Sequence, residues 1–290
     1  MRIRLPLEPG RWGMLSVFCH HTCRLRAWHS HEEPELNLVL SGSGYYLVDG
    51  RRLPLARNTL VWLFPAQEHV LVSDSPDFSM WVMYVRPKVL RWACTTASTA
   101  PLLRSRPGRT LIRTLPAAAV RQLDRMLRDL EQPNGVDTAT WNAGLLHAML
   151  LAWELHNAPP QPEETGRPLH PAVHRTLQRL WTHGGQWTTD QLAAAERMSR
   201  PALSRLFKGQ TGITIVDYRR RQGLERFAEL YADGRARTVE QAAAEAGFGS
   251  YAQFYRVVRQ RTGLTPTRLA RQIRDASWSE RTRGDHGTPA

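Results

Sequence analysis

The last third of the chain carries one local pattern twice, and no other feature narrows the fold as much. The first copy begins at Thr188, with Gln191 three residues on, over DQLAAAER; the second begins at Thr238, with Gln241 three residues on, over VEQAAAEA. Thr followed at that spacing by Gln is a capping box, in which each side chain satisfies a backbone N–H that the first helical turn leaves open. A short break follows, then a second helix opens behind a serine. Ser199 precedes RPALSRLFKGQ, with Pro201 in the first turn, and Ser250 precedes YAQFYRVVRQR, with Gln253 completing a further capping box. Gly247 permits a sharp turn in the second copy, and Gly212 and Gly263 end the second helices. The alanines let the two helices of each copy cross closely.

Helical periodicity decides which side chains face out. The first copy buries Leu203, Leu206 and Phe207 and exposes Arg200, Pro201, Ser204, Arg205 and Lys208. The second buries Phe254, Val257 and Val258 and exposes Tyr251, Ala252, Tyr255, Arg256 and Arg259, with Ser250 at its start. A short helix bracing a basic-faced second helix is helix-turn-helix logic, in which the second helix enters a major groove. The alternative is a pair of helical hairpins with solvated arginines. Duplication, with caps and basic residues at the same places in both copies, favours the first reading. Arg205 and Arg256 stand where base edges come within reach, and Lys208 and Arg259, one turn on, suit phosphates.

Charge agrees with a polyanionic partner, double-stranded DNA. The chain has 39 basic and 26 acidic residues, net +13, and from Pro171 onward 20 Lys or Arg stand against 11 Asp or Glu, so most of the excess lies in the duplicated segment. Between the copies Ile215 to Tyr231 reads as one helix. A rigid connector would set the recognition helices to successive groove faces about 34 Å apart. Gly223 weakens that helix by about 1 kcal/mol relative to Ala.

The first part of the chain has a different period. From residue 10 to about 90, short apolar runs (LNLVL, YYLV, TLVWLF, MWVMYV) alternate with turn signals, among them Asp49-Gly50, a hairpin signature. Many short antiparallel strands suggest a barrel or jelly roll. After Pro116 the period becomes helical: Val120, Leu123, Leu127 and Leu130 form one stripe, and Trp141, Leu145, Leu146, Met149 and Trp153 another. These helices either cap the β domain or pair with their copies in a homodimer. Asn157 to Arg167 (NAPPQPEETGR) has linker composition. The expected class is α+β, with a barrel over 1–112, a helical pair over 113–156, a linker over 157–169, an all-α domain over 170–275 and a disordered tail over 276–290. Three cysteines, Cys19, Cys23 and Cys94, without a CxxC pair, argue against a disulfide scaffold or zinc ribbon; Cys19 and Cys23 read as small core residues rather than a metal pair. No run resembles a signal peptide or a membrane span, so a reducing cytoplasm and no membrane partner are expected.

The strand region also carries His29, His31 and Glu35, then Gly42, and one hairpin later Pro65 and His69. His29 and His31 alternate in phase and face one side of a strand, and Glu35 shares their parity, with Pro34 between. This set resembles the two short cupin motifs, whose three histidines and glutamate converge on one metal. The resemblance implies a single divalent transition metal, and two or three imidazoles with one carboxylate suit Zn²⁺, Fe²⁺, Mn²⁺ or Ni²⁺. A polar pocket for an organic effector and purely structural histidines are the alternatives. Trp28, Trp62, Trp81 and Tyr46 are candidate pocket walls or core residues.

The run AAAEAGFGSYAQFYRVVRQRTGLTP resembles the signature of AraC/XylS-type regulators in its Ala-rich helix, Gly247-Phe248, Ser250, Phe254, Arg256, Gly263 and Thr265-Pro266; MSRPALSRLFKGQTGIT resembles that family's first recognition helix. Coverage is about 100 residues, from Pro171 to Ile273. The sequence departs from the pattern at Val258, Leu269 and Gly223, and Pro201 and Tyr251 are unusual at base-facing positions. The resemblance implies a transcription regulator with a cupin-like sensory barrel, a small-molecule or metal effector, a homodimer, promoter DNA and RNA polymerase as partners, and no enzymatic activity. A constitutive dimeric DNA-binding protein and a metal-dependent cupin enzyme are the competing classes.

Overall fold

The computed structural model describes residues 5, 7–19, 29–105, 111–132, 136–158, 166–182, 187–232 and 238–274. It divides into two compact units, the first running to Pro168 and the second taking up the chain at Leu169.

The first unit holds strands β1 (Gly13–Cys19), β2 (Glu35–Ser41), β3 (Ser43–Val48), β4 (Arg51–Ala56), β5 (Thr59–Leu63), β6 (His69–Asp74), β7 (Ser79–Val85), β8 (Leu111–Thr114) and β9 (Arg167–Pro168). They form two antiparallel sheets, ordered β1-β7-β2-β5-β8 and β6-β3-β4-β9. One core lies between the sheets: Val39, Val61, Leu63, Met80 and Tyr84 of the first meet Tyr46, Val48, Leu53, Leu55 and Leu71 of the second. The Asp49-Gly50 turn that joins β3 to β4 has φ of 45° and 75°, the paired positive values of a type I′ hairpin.

The five-stranded sheet is buried on both faces, which is why its strands read as continuous apolar runs rather than alternating ones. Its outer face (Leu36, Leu38, Leu60, Trp62, Trp81, Met83) packs under α2 (Ala117–Glu131) and α3 (Thr138–Asn157) through Val120, Leu123, Leu127, Leu145, Met149 and Trp153. Asp137 caps α3 by accepting from the Ala139 and Thr140 amides, and these bonds hold its carboxyl below the usual range. Trp62 and Trp81 are therefore not pocket walls. Trp81 Nε1 donates to Asp124 Oδ1 on α2 at 2.7 Å, and Trp62 meets the Trp153 ring edge-on. Trp28 and Cys23 lie outside the described residues; among the described residues neither Cys19 nor Cys94 is in a disulfide.

Two elements have no counterpart in the sequence reading. A short helix, α1 (Pro87–Ala93), follows β7, and a 3₁₀ turn at Ala100–Leu103 precedes β8. Strand β8 straddles the 112/113 boundary. Within the expected linker, Arg167 and Pro168 pair with Arg52 and Arg51 on the edge of β4, and Arg51 Nη1 donates to Gly166 O at 3.1 Å. Residues 276–290, read as a disordered tail, lie outside the described residues.

The second unit is helical: α4 (Pro171–Thr182), α5 (Thr189–Ala195), α6 (Arg200–Thr211), α7 (Ile215–Ala232), α8 (Val239–Glu245), α9 (Tyr251–Thr262) and α10 (266–274). Helix α5 packs on α6 and α8 on α9, with α4 against α6 and α7 against α8. Gly223 marks the close approach of α7 to the turn after α8. A Cβ there would meet the Phe248 ring at 3.0 Å and Ala246 O at 3.2 Å, so this departure from the pattern is steric. Among the described residues no helix is long and apolar enough to cross a membrane.

Candidate functional site

Two sites are built here, one in each unit. In the second unit the caps fix where each recognition helix starts. Thr188 Oγ1 accepts from the Gln191 amide at 3.2 Å and Gln191 Oε1 accepts from the Thr188 amide at 2.8 Å, a complete capping box. Thr238 accepts from the Gln241 amide, but the Gln241 side-chain amide donates to Glu245 Oε1. Ser199 and Ser250 cap α6 and α9 through the amides of Ala202 and Gln253. Gln253 does not close a box on Ser250; its Oε1 accepts from the Gly249 amide instead.

The outward faces are as the periodicity requires. Arg200, Pro201, Arg205 and Lys208 on α6 are exposed and Ser204 is half-buried; Ser250, Tyr251, Ala252, Tyr255, Arg256 and Arg259 at α9 are all exposed. Leu203, Phe207, Phe254, Val257 and Val258 are buried, and Leu206 is only half-buried. Arg200 pairs with Asp190 at 3.2 Å, and Arg259 Nη1 donates to Gly263 O at 2.8 Å, satisfying a carbonyl at the end of its own helix.

One buried ion cluster that holds the first copy together has no signal in the sequence. Glu196, at the end of the first copy's bracing helix α5, has a side chain with no solvent exposure and pairs with Arg175 and Arg179 of α4. Nothing in local periodicity links residues some twenty positions apart, so no sequence signal pointed to it.

In the first unit His29, His31 and His69 are buried with ligand atoms all within 4.8 Å of one another. An isolated antiparallel bridge places His29 opposite His69, through the paired bonds His29 N to His69 O at 3.1 Å and His69 N to His29 O at 2.9 Å. His69 follows a turn at Phe64–Gln67 in which Ala66 has φ of 64°, a value L-residues rarely adopt. The Gln67 side chain holds that turn, accepting from the Phe64 amide and donating to Asp49 of the hairpin turn. The Ala66 amide donates to His31 O at 3.0 Å, tying this turn to the segment that carries the other histidines.

Glu35 completes the cluster. Its Oε2 lies 2.9 Å from His31 Nε2 and 3.3 Å from His69 Nε2, and Asn37 donates to its Oε1 at 2.8 Å. The backbone fixes the ring tautomers. His31 Nδ1 lies 2.8 Å from Glu33 O, and His69 Nδ1 lies 3.0 Å from Gln67 O. A carbonyl only accepts, so each Nδ1 carries the hydrogen, and each Nε2 turns toward the Glu35 carboxylate. An Nε2 lone pair and a carboxylate oxygen at such a distance call for a proton or a metal ion between them. Donor set, outer bonds and burial therefore fit a divalent transition metal. Burial by itself would raise the Glu35 carboxyl; the hydrogen bonds and charge of His31 and His69 outweigh it and hold the group well below the usual carboxylate range.

Beside this cluster lies an open cavity of about 420 Å³, walled by Pro34, Pro65, Ala66, Pro87, Leu90 and Leu102, with Glu32 and Arg91 also lining it.

Comparison with known proteins matches both units. The model of a helix-turn-helix domain covers residues 192–272, and that of an AraC-like ligand binding domain covers residues 15–149. Among curated proteins none matches the chain. Among solved structures the chain is similar to an apo variant of ToxT from Vibrio cholerae strain SCE256, at 13% identity over 92% of this chain and 100% of that one, with a TM-score of 0.37. It is similar to the AraC-like transcriptional activator CuxR at 13% identity, over 77% of this chain and 74% of that one, with a TM-score of 0.32. It is also similar to the C-terminal domain of AraT, a response regulator from Geobacillus stearothermophilus, at 24% identity over 37% of this chain and 87% of that one, with a TM-score of 0.33. With a matched ligand-binding domain ahead of a matched helix-turn-helix domain, in the order the fold displays them, the chain belongs to the AraC-type transcription regulators.

Proposed function

We propose that the protein is a metal-responsive, sequence-specific DNA-binding regulator, with His29, His31, His69 and Glu35 holding one divalent transition metal and α6 and α9 entering adjacent major-groove segments. The observation that carries the metal reading is the convergence of two tautomer-fixed Nε2 atoms on one carboxylate oxygen inside a buried cluster of three imidazoles. Four protein ligands would close a tetrahedral zinc site, which suits sensing or stability, whereas a six-coordinate ion would keep positions open for a small effector. Arg205 and Arg256 read base edges, and Lys208 and Arg259 meet phosphates, Arg259 after leaving its bond to Gly263. The molecule acts as a homodimer in this reading, through the helical pair α2 and α3.

The cavity of about 420 Å³ favours a second reading, a small organic effector. Its walls include Pro34, Pro65 and Ala66, which adjoin the loops carrying His31 and His69, so an occupant would bear on the same elements.

The test is to load purified protein with Zn²⁺, Mn²⁺ or Ni²⁺, remove the excess, and measure bound metal and thermal unfolding, with His31→Ala beside it. About one metal per chain is expected. A metal present at a hundred times its Kd should add about 2.7 kcal/mol to stability. Both effects should vanish in His31→Ala, and DNA affinity should change with metal in the intact protein only. No stoichiometric metal in the intact protein would overturn the metal reading and leave the organic effector. Metal bound without any change in DNA affinity would make the site structural rather than sensory.

A further inference from the structure

Tyr251 and Tyr255 are the two exposed large aromatic side chains among the described residues of the second unit, at 40% and 41% exposure, and both stand on α9. Burying one face of an aromatic ring is strongly favourable, so two rings left in water on one helix call for an explanation. They are four residues apart and therefore neighbours on the helix surface. The buried side of α9 is fixed by Phe254, Val257 and Val258. At 100° per residue, Ala252 and Arg256 then fall along the middle of the outward face and Tyr251 and Tyr255 along one edge of it. Tyr251 is steadied by the Phe254 ring, with centroids 6.1 Å apart. The small Ala252 leaves room for the helix to sit deep. The same two positions on α6 carry Arg200 and Ser204, so the aromatic edge belongs to one copy alone.

In the major groove the apolar feature that distinguishes one base from the others is the C5 methyl of thymine, and aromatic or methyl-bearing side chains are what contact it. We infer that Tyr251 and Tyr255 read thymine methyl groups beside the base contacted by Arg256, so that the two halves of the binding site are recognised by different chemistry: methyl contacts added to the charged ones under α9, polar and charged contacts alone under α6. This rests on the proposal that α9 is a recognition helix. Tyrosine hydroxyls also bond phosphates, and that competing use predicts different results.

The experiment selects a preferred duplex from a random pool with the full-length protein, then replaces its thymines one at a time by deoxyuridine, which pairs identically and lacks the methyl. Arg256→Ala identifies the half-site under α9 by where specificity relaxes. One or two uracil substitutions in that half should each weaken binding about fourfold, the worth of burying one methylene-sized group. The Tyr251→Ala, Tyr255→Ala double variant should bind the intact site more weakly and become indifferent to uracil. The corresponding Phe variants should keep both affinity and methyl sensitivity. If uracil weakens binding equally in the native and double-alanine proteins, or if the Phe variants lose as much as the Ala variants, the inference is overturned, the second result pointing to phosphate contacts. A preferred site indifferent to uracil throughout overturns this inference alone, whereas a pool yielding no preferred site overturns the helix-turn-helix assignment and this inference with it.

Discussion

The two helix-turn-helix copies reach nearly the same backbone through different interior chemistry. Thr188 and Thr238 cap the first helices, Ser199 and Ser250 the second, and Gly212 and Gly263 end them with φ of 80° and 69°. The bracing contacts diverge. In the first copy the end of α5 is held by a buried carboxylate, Glu196, between two arginines of α4. In the second, Ala246 takes that place, and the brace is a ring cluster: Phe254 lies 4.6 Å from Phe227 and 4.9 Å from Phe248, centroid to centroid. A charged brace and an aromatic one are therefore interchangeable in geometry. They are not interchangeable in how they fail.

Hydrogen exchange of the α6 and α9 amides reads each brace separately. Phe254→Ala should destabilise α9 by about 3–5 kcal/mol, the cost of emptying a ring-sized space in a packed core. The α6 amides should scarcely respond. The converse variant, Arg175→Ala with Arg179→Ala, leaves Glu196 buried without a counter-charge, which costs about 3–5 kcal/mol in a dry setting. Arg175 is half exposed, at 51% for its side chain, so water already screens part of this pairing and the effect should fall at or below the lower end. Here α6 should open and α9 stay protected. Equal loosening of both helices by either variant would mean that the two copies form one cooperative unit and that the distinction between braces has no energetic content.

How legible each brace was in the sequence follows the same division. Phe254, Val257 and Val258 were readable because helical periodicity is local, and the outward residues of α6 and α9 followed from the same count. Glu196 was not, because a salt bridge between α4 and α5 depends on how two helices cross. The capping pattern was readable as far as residue identity goes, but the Gln253 Oε1 accepts from the Gly249 amide rather than closing a box on Ser250. Alternation along one strand was the expected reason for His29, His31 and Glu35 to share a side; instead His29 stands in an isolated bridge, His31 in the loop after it and Glu35 at the start of β2, and the fold brings them together with His69. The sides taken by Trp62 and Trp81 were hidden because both faces of their sheet are buried, which erases the period that would have assigned them. Helix α1 and strand β9 are too short to leave a periodic signal.

The turns between helices give a finer contrast. Gly247 and Arg197 occupy the same position in their copies, and both have positive φ, 89° and 54°. For an L-residue that region costs about 1–2 kcal/mol. Gly247→Ala should therefore destabilise α8 and α9 by about 1–2 kcal/mol, read by the same exchange measurement. No loss would indicate that the turn relaxes out of the left-handed region and that the second copy tolerates a different crossing of its helices.

Arg197→Gly is the reverse experiment, with the smallest expected effect and the most informative sign. Glycine adopts positive φ without a Cβ penalty, which favours the folded turn, yet it gains freedom in the unfolded chain, which disfavours it. The two terms oppose, and the steric one is the larger at a residue held at φ 54°. A net stabilisation of about 0.5–1 kcal/mol in α5 and α6 is expected. The turn bonds should survive, since Arg197 N to Ala194 O at 3.0 Å and Met198 N to Ala193 O at 2.9 Å involve backbone alone. If stability rises while DNA affinity falls, the exposed guanidinium contributes to binding and the strained arginine is retained for contact with DNA. If both rise or stay level, the arginine serves no contact, and the first copy carries a strain that the second avoids with Gly247.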